Sequence, residues 1–298
     1  MKQTSIDDVV FELKDLEIFK IPDTKTRIAT VQNYFFPRLE ILLRFTLELI
    51  QEIYDVNPYE KMTFVYYPSN RPKSGENRDF HWVHIGLSGK RIVNRELKFR
   101  RRDGKAFRLH PTYLTFNIDF EGSIHVELLP FRQYVSSEFL SAVADLYRAN
   151  YDALSPILSL HQISHDRDAQ FIDLKDAFVG EKEDVNTNWF YSPTYYFPVS
   201  LDRGLWQSVL CFAALYPLLD AFNSLGEGET SRLPAMLNKL KEWHLAQEPD
   251  EENEEELQEE NEEIPEIPEL DSYTYVRAST WWAVLARDNW TCCSCGRS

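Results

Sequence analysis

With 298 residues, of which 43% are hydrophobic and 14% aromatic, the chain can bury the core of one large or two modest domains, which excludes a wholly disordered or fibrous protein. No early segment joins a basic start to a long apolar run, and the longest apolar stretch, around residues 209–219, is short for a bilayer span, so the expected setting is the cytoplasm, with no membrane partner. The net charge of −16 argues against a nucleic-acid partner only as an average: residues 248–271 hold fourteen acidic side chains and no Lys or Arg, and the rest of the chain carries −2.

Apolar residues at helical spacing (Phe35, Leu39, Leu42, Leu43, Leu47, Ile50, Ile53) predict a first helix over 34–54, with Pro37 in its opening turn. β-Rich runs at 62–67 and 81–87 predict two strands on either side of a loop rich in Pro, Ser, Asn and Gly. Two hairpins follow. Segments 97–101 and 106–109 flank Asp103-Gly104, and segments 113–120 and 123–129 flank Glu121-Gly122, where glycine accommodates a positive-φ turn. Together these runs predict an antiparallel sheet of about six strands. Helical spacing returns over 139–154 and continues past Pro156 to His161, and one face of that helix is expected to cover the sheet. The stretch 166–200 is mixed; its aromatic residues Trp189, Phe190, Tyr191, Tyr195, Tyr196 and Phe197 read as packing material. Helices at 205–225 and 231–246 complete a first domain, residues 1–247, of α+β class.

Inside this domain, residues 90–108 carry nine basic side chains against Glu96 and Asp103, a local charge of +7. In a hairpin, Lys98, Arg100 and Arg102 fall on one face and Phe99 and Arg101 on the other. That ribbon, with Lys105 and Arg108, is the candidate nucleic-acid-binding surface, because a row of cations beside aromatics can follow a phosphate backbone or enter a groove. The same charge also suits an exposed hairpin that must not pair with strands of other chains. His81 and His84 fall on opposite faces of a strand, and His161 and His165, four apart near a helix end, suit a solvated terminus as well as a metal. No Walker loop, Gly-x-Gly-x-x-Gly, Gly-x-Ser-x-Gly or His-Glu-x-x-His run occurs.

Residues 248–271 repel one another and offer little to bury, so they form an acidic disordered linker. Beyond it, a short helix over 279–286 leads into Arg287, Asp288, Asn289, Trp290, Thr291, Cys292, Cys293, Ser294, Cys295 and Gly296. Two thiolates at Cys-x-x-Cys spacing followed by a turn-permitting glycine suit one half of a tetrahedral zinc site. With three of the four cysteines crowded at 292, 293 and 295 and Cys211 alone in an apolar helix, the pattern is not a disulfide framework.

The helix, the Arg-Asp pair, the aromatic-Thr-Cys step and the Cys-x-x-Cys-Gly knuckle, occurring in that order, resemble the opening of HNH endonuclease domains. The resemblance covers roughly residues 276–298. It implies that residues 272–298 begin a ββα-metal module, with Cys292 and Cys295 as the first two ligands of a structural zinc. In that family a water-activating histidine and a catalytic divalent ion, Mg²⁺ or similar, follow later in the domain, so the chain as given is expected to lack the catalytic half and to be inactive by that route. The expected function is therefore an HNH-type endonuclease of restriction or anti-phage defence with an N-terminal recognition domain. Its partner is nucleic acid, DNA in the first instance, with a protein partner or a second copy of the chain also open. The alternative is a non-catalytic protein- or ligand-binding regulator that ends in a zinc knuckle.

Overall fold

In the computed structural model, which describes residues 6–68, 82–93, 98–100, 106–108, 112–129, 145–164 and 190–247, the first helix begins well before the periodicity predicts. Helix α1 spans Thr24–Tyr54 because Asp23 caps it, its carboxylate accepting from the Thr26 amide at 2.7 Å and the Thr26 hydroxyl at 2.6 Å. Pro37 thus lies in the helix interior, where it removes the backbone bond that position would donate to Asn33. Phe35 and Leu39, both fully buried, hold the helix against the core on either side of that gap. The helix ends at Asp55, whose left-handed backbone (φ 51°) lets its amide close on Gln51 at 2.9 Å.

A short turn α2 (Pro58–Lys61) feeds strand β1 (Met62–Tyr67), which pairs antiparallel with β2 (Trp82–Gly89). After a one-turn helix α3 (Lys90–Val93), strands β3 (Lys98–Arg100) and β4 (Ala106–Arg108) form a two-stranded ribbon of their own. Strands β5 (Tyr113–Asp119) and β6 (Ser123–Leu129) return to the main sheet, joined by a turn in which Gly122 takes φ 84° and the Asp119 carboxylate accepts from the amides of Glu121 and Ser123. Two short strands, β7 (Phe190–Tyr191) and β8 (Tyr195–Tyr196), pair with β6 and complete six antiparallel strands in the order β1-β2-β5-β6-β7, with β8 on β6 beside β7. The count of six matches the expectation, but the membership differs. The β3–β4 hairpin stands outside the sheet, and two short strands from the aromatic-rich stretch take its place.

Alternation decides what each face of the sheet carries. Val83, Ile85 and Leu87, Leu114, Phe116 and Ile118, and Ile124, Val126 and Leu128 form one face, none more than 1% exposed. Against it lie α1 and α5 (Leu205–Glu227), the latter stacking Phe212 on Phe116 with ring centroids 4.6 Å apart. Burial of each such side chain contributes roughly 1.5–3 kcal/mol, so this interface is the main source of cohesion. Tyr54 of α1 donates its hydroxyl to the Ala213 carbonyl of α5 at 2.8 Å, tying the two covering helices together.

The helix expected over 139–161 is interrupted, within its described part, at Asn150, and continues past Pro156 as expected. Residues 145–149 are helical; then the Asn150 side chain donates to the Leu146 carbonyl at 2.8 Å, and α4 (Tyr151–Leu160) starts afresh with Pro156 inside it. Helix α5 is longer than the apolar run at 209–219, and by length and composition it could cross a bilayer; here it is a core helix, with 94% of its most apolar window buried. Gly204 opens it at φ 94°, where a Cβ would come within 2.7 Å of the Tyr195 ring. Helix α6 (Leu233–Leu245) follows, with the Ser231 hydroxyl accepting from the Leu233 amide at 3.1 Å. The chain divides into two compact units, Met1–Leu237 and Asn238–Ser298, and of the second the described residues are 238–247. The acidic tract and the terminal Cys-x-x-Cys segment lie outside the described residues.

Candidate functional site

Of the predicted nucleic-acid-binding residues, Lys98, Arg100 and Arg108 lie on the β3–β4 ribbon, while Arg101, Arg102 and Lys105 lie outside the described residues. The ribbon's register pairs Lys98 with Arg108, Phe99 with Phe107 and Arg100 with Ala106. Partners directly across an antiparallel pair share a face, so the positions of Lys98, Arg100 and Arg108 lie together and those of Phe99 and Phe107 lie on the other side. The two basic residues at the start of the strip are committed elsewhere. Lys90 donates to the Tyr59 carbonyl, and Arg91 reaches Glu227 at 3.3 Å, whose side chain is only 6% exposed. They anchor the root of the excursion to α2 and to the end of α5.

Cys292 and Cys295 lie outside the described residues, as do His81 and His165. As a donor set, two thiolates two residues apart with Gly296 behind them fit half of a tetrahedral zinc site. Among the described residues no group of three or more His, Cys, Asp or Glu side chains is placed to hold a metal ion. Cys211 is a buried core thiol, pushed up to about 12 by burial, with its Sγ 3.6 Å from the carbonyl of His161.

The register brings together a second group of residues that no motif marked. On the sheet face opposite α1 and α5, Tyr67 pairs with His84, His84 with Asn117, and Asn117 with His125, a straight row across four strands. One pair further along, Thr115 faces Glu127. Thr115, Asn117 and His125 are buried, at 0%, 3% and 3% exposed, while Tyr67, His84 and Glu127 are half-buried. Their hydrogen bonds form a chain. The Asn117 amide donates to the Thr115 hydroxyl at 2.8 Å and its carboxamide meets His84, while His125 Nε2 lies 2.8 Å from Glu127 Oε1.

Electrostatics differ along the row. Burial holds His84 down to about 4, against the opposing pull of Glu127 and of the hydrogen bond with Asn117, so this ring is neutral near pH 7. In the neutral His125 ring, the Glu127 carboxylate 2.8 Å from Nε2 selects the tautomer with its hydrogen on Nε2, and Nδ1 is then the acceptor. Nδ1 is buried and has no hydrogen-bond partner among the described residues. A buried acceptor left unpaired costs roughly 1–3 kcal/mol, which a ligand donor would recover. A carboxylate that fixes one ring nitrogen and leaves the other open is the arrangement by which proteins aim an imidazole at a ligand or a transferable proton.

The strand pattern carried this signal. Ser123-Ile124-His125-Val126-Glu127-Leu128 and Tyr113-Leu114-Thr115-Phe116-Asn117-Ile118 each alternate apolar with polar, which marks a polar sheet face without showing that it is buried or which residues line up across it. The chain matches no protein-family model, no curated protein and no solved structure.

Proposed function

We propose that the chain is the nucleic-acid-recognising part of an HNH-type endonuclease, in which the α+β front domain engages DNA and the segment around Cys292 and Cys295 begins the zinc-stapled nuclease module. The observation that supports the reading most directly is the ordered run from Arg287 to Gly296, in which the Arg-Asp pair, Trp290, Thr291 and the Cys-x-x-Cys-Gly knuckle stand as they do at the start of HNH domains. The ribbon adds an independent argument. It is inserted between β2 and β5 in the chain, and its register sets the positions of Lys98, Arg100 and Arg108 on one side, a row of cations of the kind that follows a phosphate backbone. Zinc would be held by Cys292 and Cys295 with a second ligand pair, closing a small module that lacks much core of its own.

The test is fluorescence anisotropy of the purified protein with a labelled DNA duplex, a DNA single strand and an RNA of matched sequence across a salt series. Binding should weaken steeply with salt, and the Arg100→Ala/Arg101→Ala/Arg102→Ala variant should bind more weakly with a flatter slope, because fewer counterions are released. Equal affinity and slope in the variant and the parent protein would refute the ribbon's role. Zinc content per chain, lost on Cys292→Ser, tests the terminal segment separately.

A further inference from the structure

We infer that the polar face of the sheet is a binding site for an unpaired nucleobase, with His125 Nδ1 accepting a hydrogen bond from an N–H of the base. The ligand class rests on the nucleic-acid reading above; the site itself rests on the geometry of the row. Three observations carry it.

First, the His125 imidazole is aimed: Glu127 lies 2.8 Å from its Nε2, and in the neutral ring the remaining nitrogen is a buried acceptor without a partner among the described residues. Whatever fills that position must donate an N–H or an O–H. Second, Asn117, between the two histidines, is already engaged within the row. Its side chain is spent on Thr115 and His84, whereas His125 Nδ1 is a buried atom with no partner among the described residues. Third, the face offers rings. Tyr191 lies beside His125 at 6.4 Å, and towards β1 the stack runs from His84 to Tyr67 at 5.4 Å and on to Trp82 at 5.4 Å with planes 18° apart. Trp82 remains 44% exposed, so this stack runs inward from solvent as far as His84, which Asn117 separates from His125 in the row. A planar heterocycle with a ring or exocyclic N–H satisfies both demands, and single-stranded bases are read in this way, by stacking plus hydrogen bonds to an edge. A metal ion fits less well, because no third ligand stands with His125 and Glu127 among the described residues.

The base can come from a free nucleoside or from an unpaired position in a strand, and the experiment separates the two. The full chain is titrated with adenosine, guanosine, cytidine and uridine, and in parallel with single-stranded hexanucleotides, while the ¹⁵N resonance of His125 Nδ1 is followed. We expect saturable binding of at least one nucleoside or hexanucleotide, a shift of the Nδ1 resonance on binding, and at least a ten-fold loss of that affinity in His125→Phe. Glu127→Gln, which keeps a hydrogen-bonding partner but no longer dictates the tautomer, should lose affinity to a smaller extent. A response to hexanucleotides alone places the base within a strand, and a response to nucleosides places it in a free ligand; either supports the site. The Arg100→Ala/Arg101→Ala/Arg102→Ala variant should keep its nucleoside affinity while losing strand affinity. Nucleoside binding without any strand binding would therefore defeat the nuclease reading and leave this site standing. An unmoved Nδ1 resonance with every probe, or unchanged affinity in His125→Phe, overturns the inference.

Discussion

Lowering the pH should unfold this protein through His84, and the size of the effect can be worked out. The ring is held at about 4 in the folded chain by burial, against an ordinary value of 6.5. As pH falls below 6.5 the unfolded chain takes up a proton at this position while the folded chain does not, so stability drops from pH 6.5 to about pH 4 and then levels. At roughly 1.4 kcal/mol per pH unit the loss reaches about 2 kcal/mol by pH 5 and about 3 kcal/mol in full, a large share of the stability of an ordinary domain. His84→Gln removes the titrating group and leaves an amide able to meet Asn117. Urea unfolding of both proteins at pH 7, 6 and 5 gives the comparison. The variant should begin somewhat less stable at pH 7 because of imperfect packing under Tyr67, and the gap should close or invert by about 2 kcal/mol by pH 5. Parallel stability curves for the two proteins, or an NMR titration of His84 with a midpoint above 6, would refute the assignment of this ring as buried and neutral.

Three further outcomes test the architecture. Phe116→Ala and Phe212→Ala should each cost about 3–5 kcal/mol in urea unfolding, and the double variant should show about 0.5–1.5 kcal/mol of coupling, because the fully buried rings stack at 4.6 Å. Gly204→Ala should lower the melting temperature by the equivalent of about 1–3 kcal/mol, since φ is 94° there and the added carbon would meet the Tyr195 ring at 2.7 Å. Asp23→Ala should cost about 1 kcal/mol and fray the first turn of α1, which hydrogen exchange at Thr26 would report.

The parts of the fold that the sequence made readable are those whose burial repeats locally. β1 and the β5–β6 hairpin come from alternation around turn residues, and α5 from an unbroken apolar spacing. The start of α1 escaped notice because Thr24–Gln32 buries few apolar side chains and its only local mark is the capping Asp23. The break at Asn150 was hidden because the apolar spacing runs on through it, while the Asn150 side-chain amide returns to the Leu146 carbonyl. Strands of two residues, β7 and β8, have no period to detect; they exist because β6, more than sixty residues earlier, presents them an edge. The polar row was unreadable for the same reason. Tyr67, His84, Asn117 and His125 come from four strands, and only the register sets them side by side.

The root of the ribbon is clamped on both sides. Lys90 and Arg91 fasten the outgoing chain to Tyr59 and Glu227, and the Ser88 hydroxyl holds the returning chain at the Thr112 carbonyl, 2.8 Å away. The sheet below is already zipped by six residue pairs between β2 and β5. The pairing of β2 with β5 is thus fixed at the root of the ribbon, and lengthening the connection between them adds only a slowly growing closure cost. The sheet can therefore accept a different insert at this point, as a socket accepts a tool, with its own pairing unchanged.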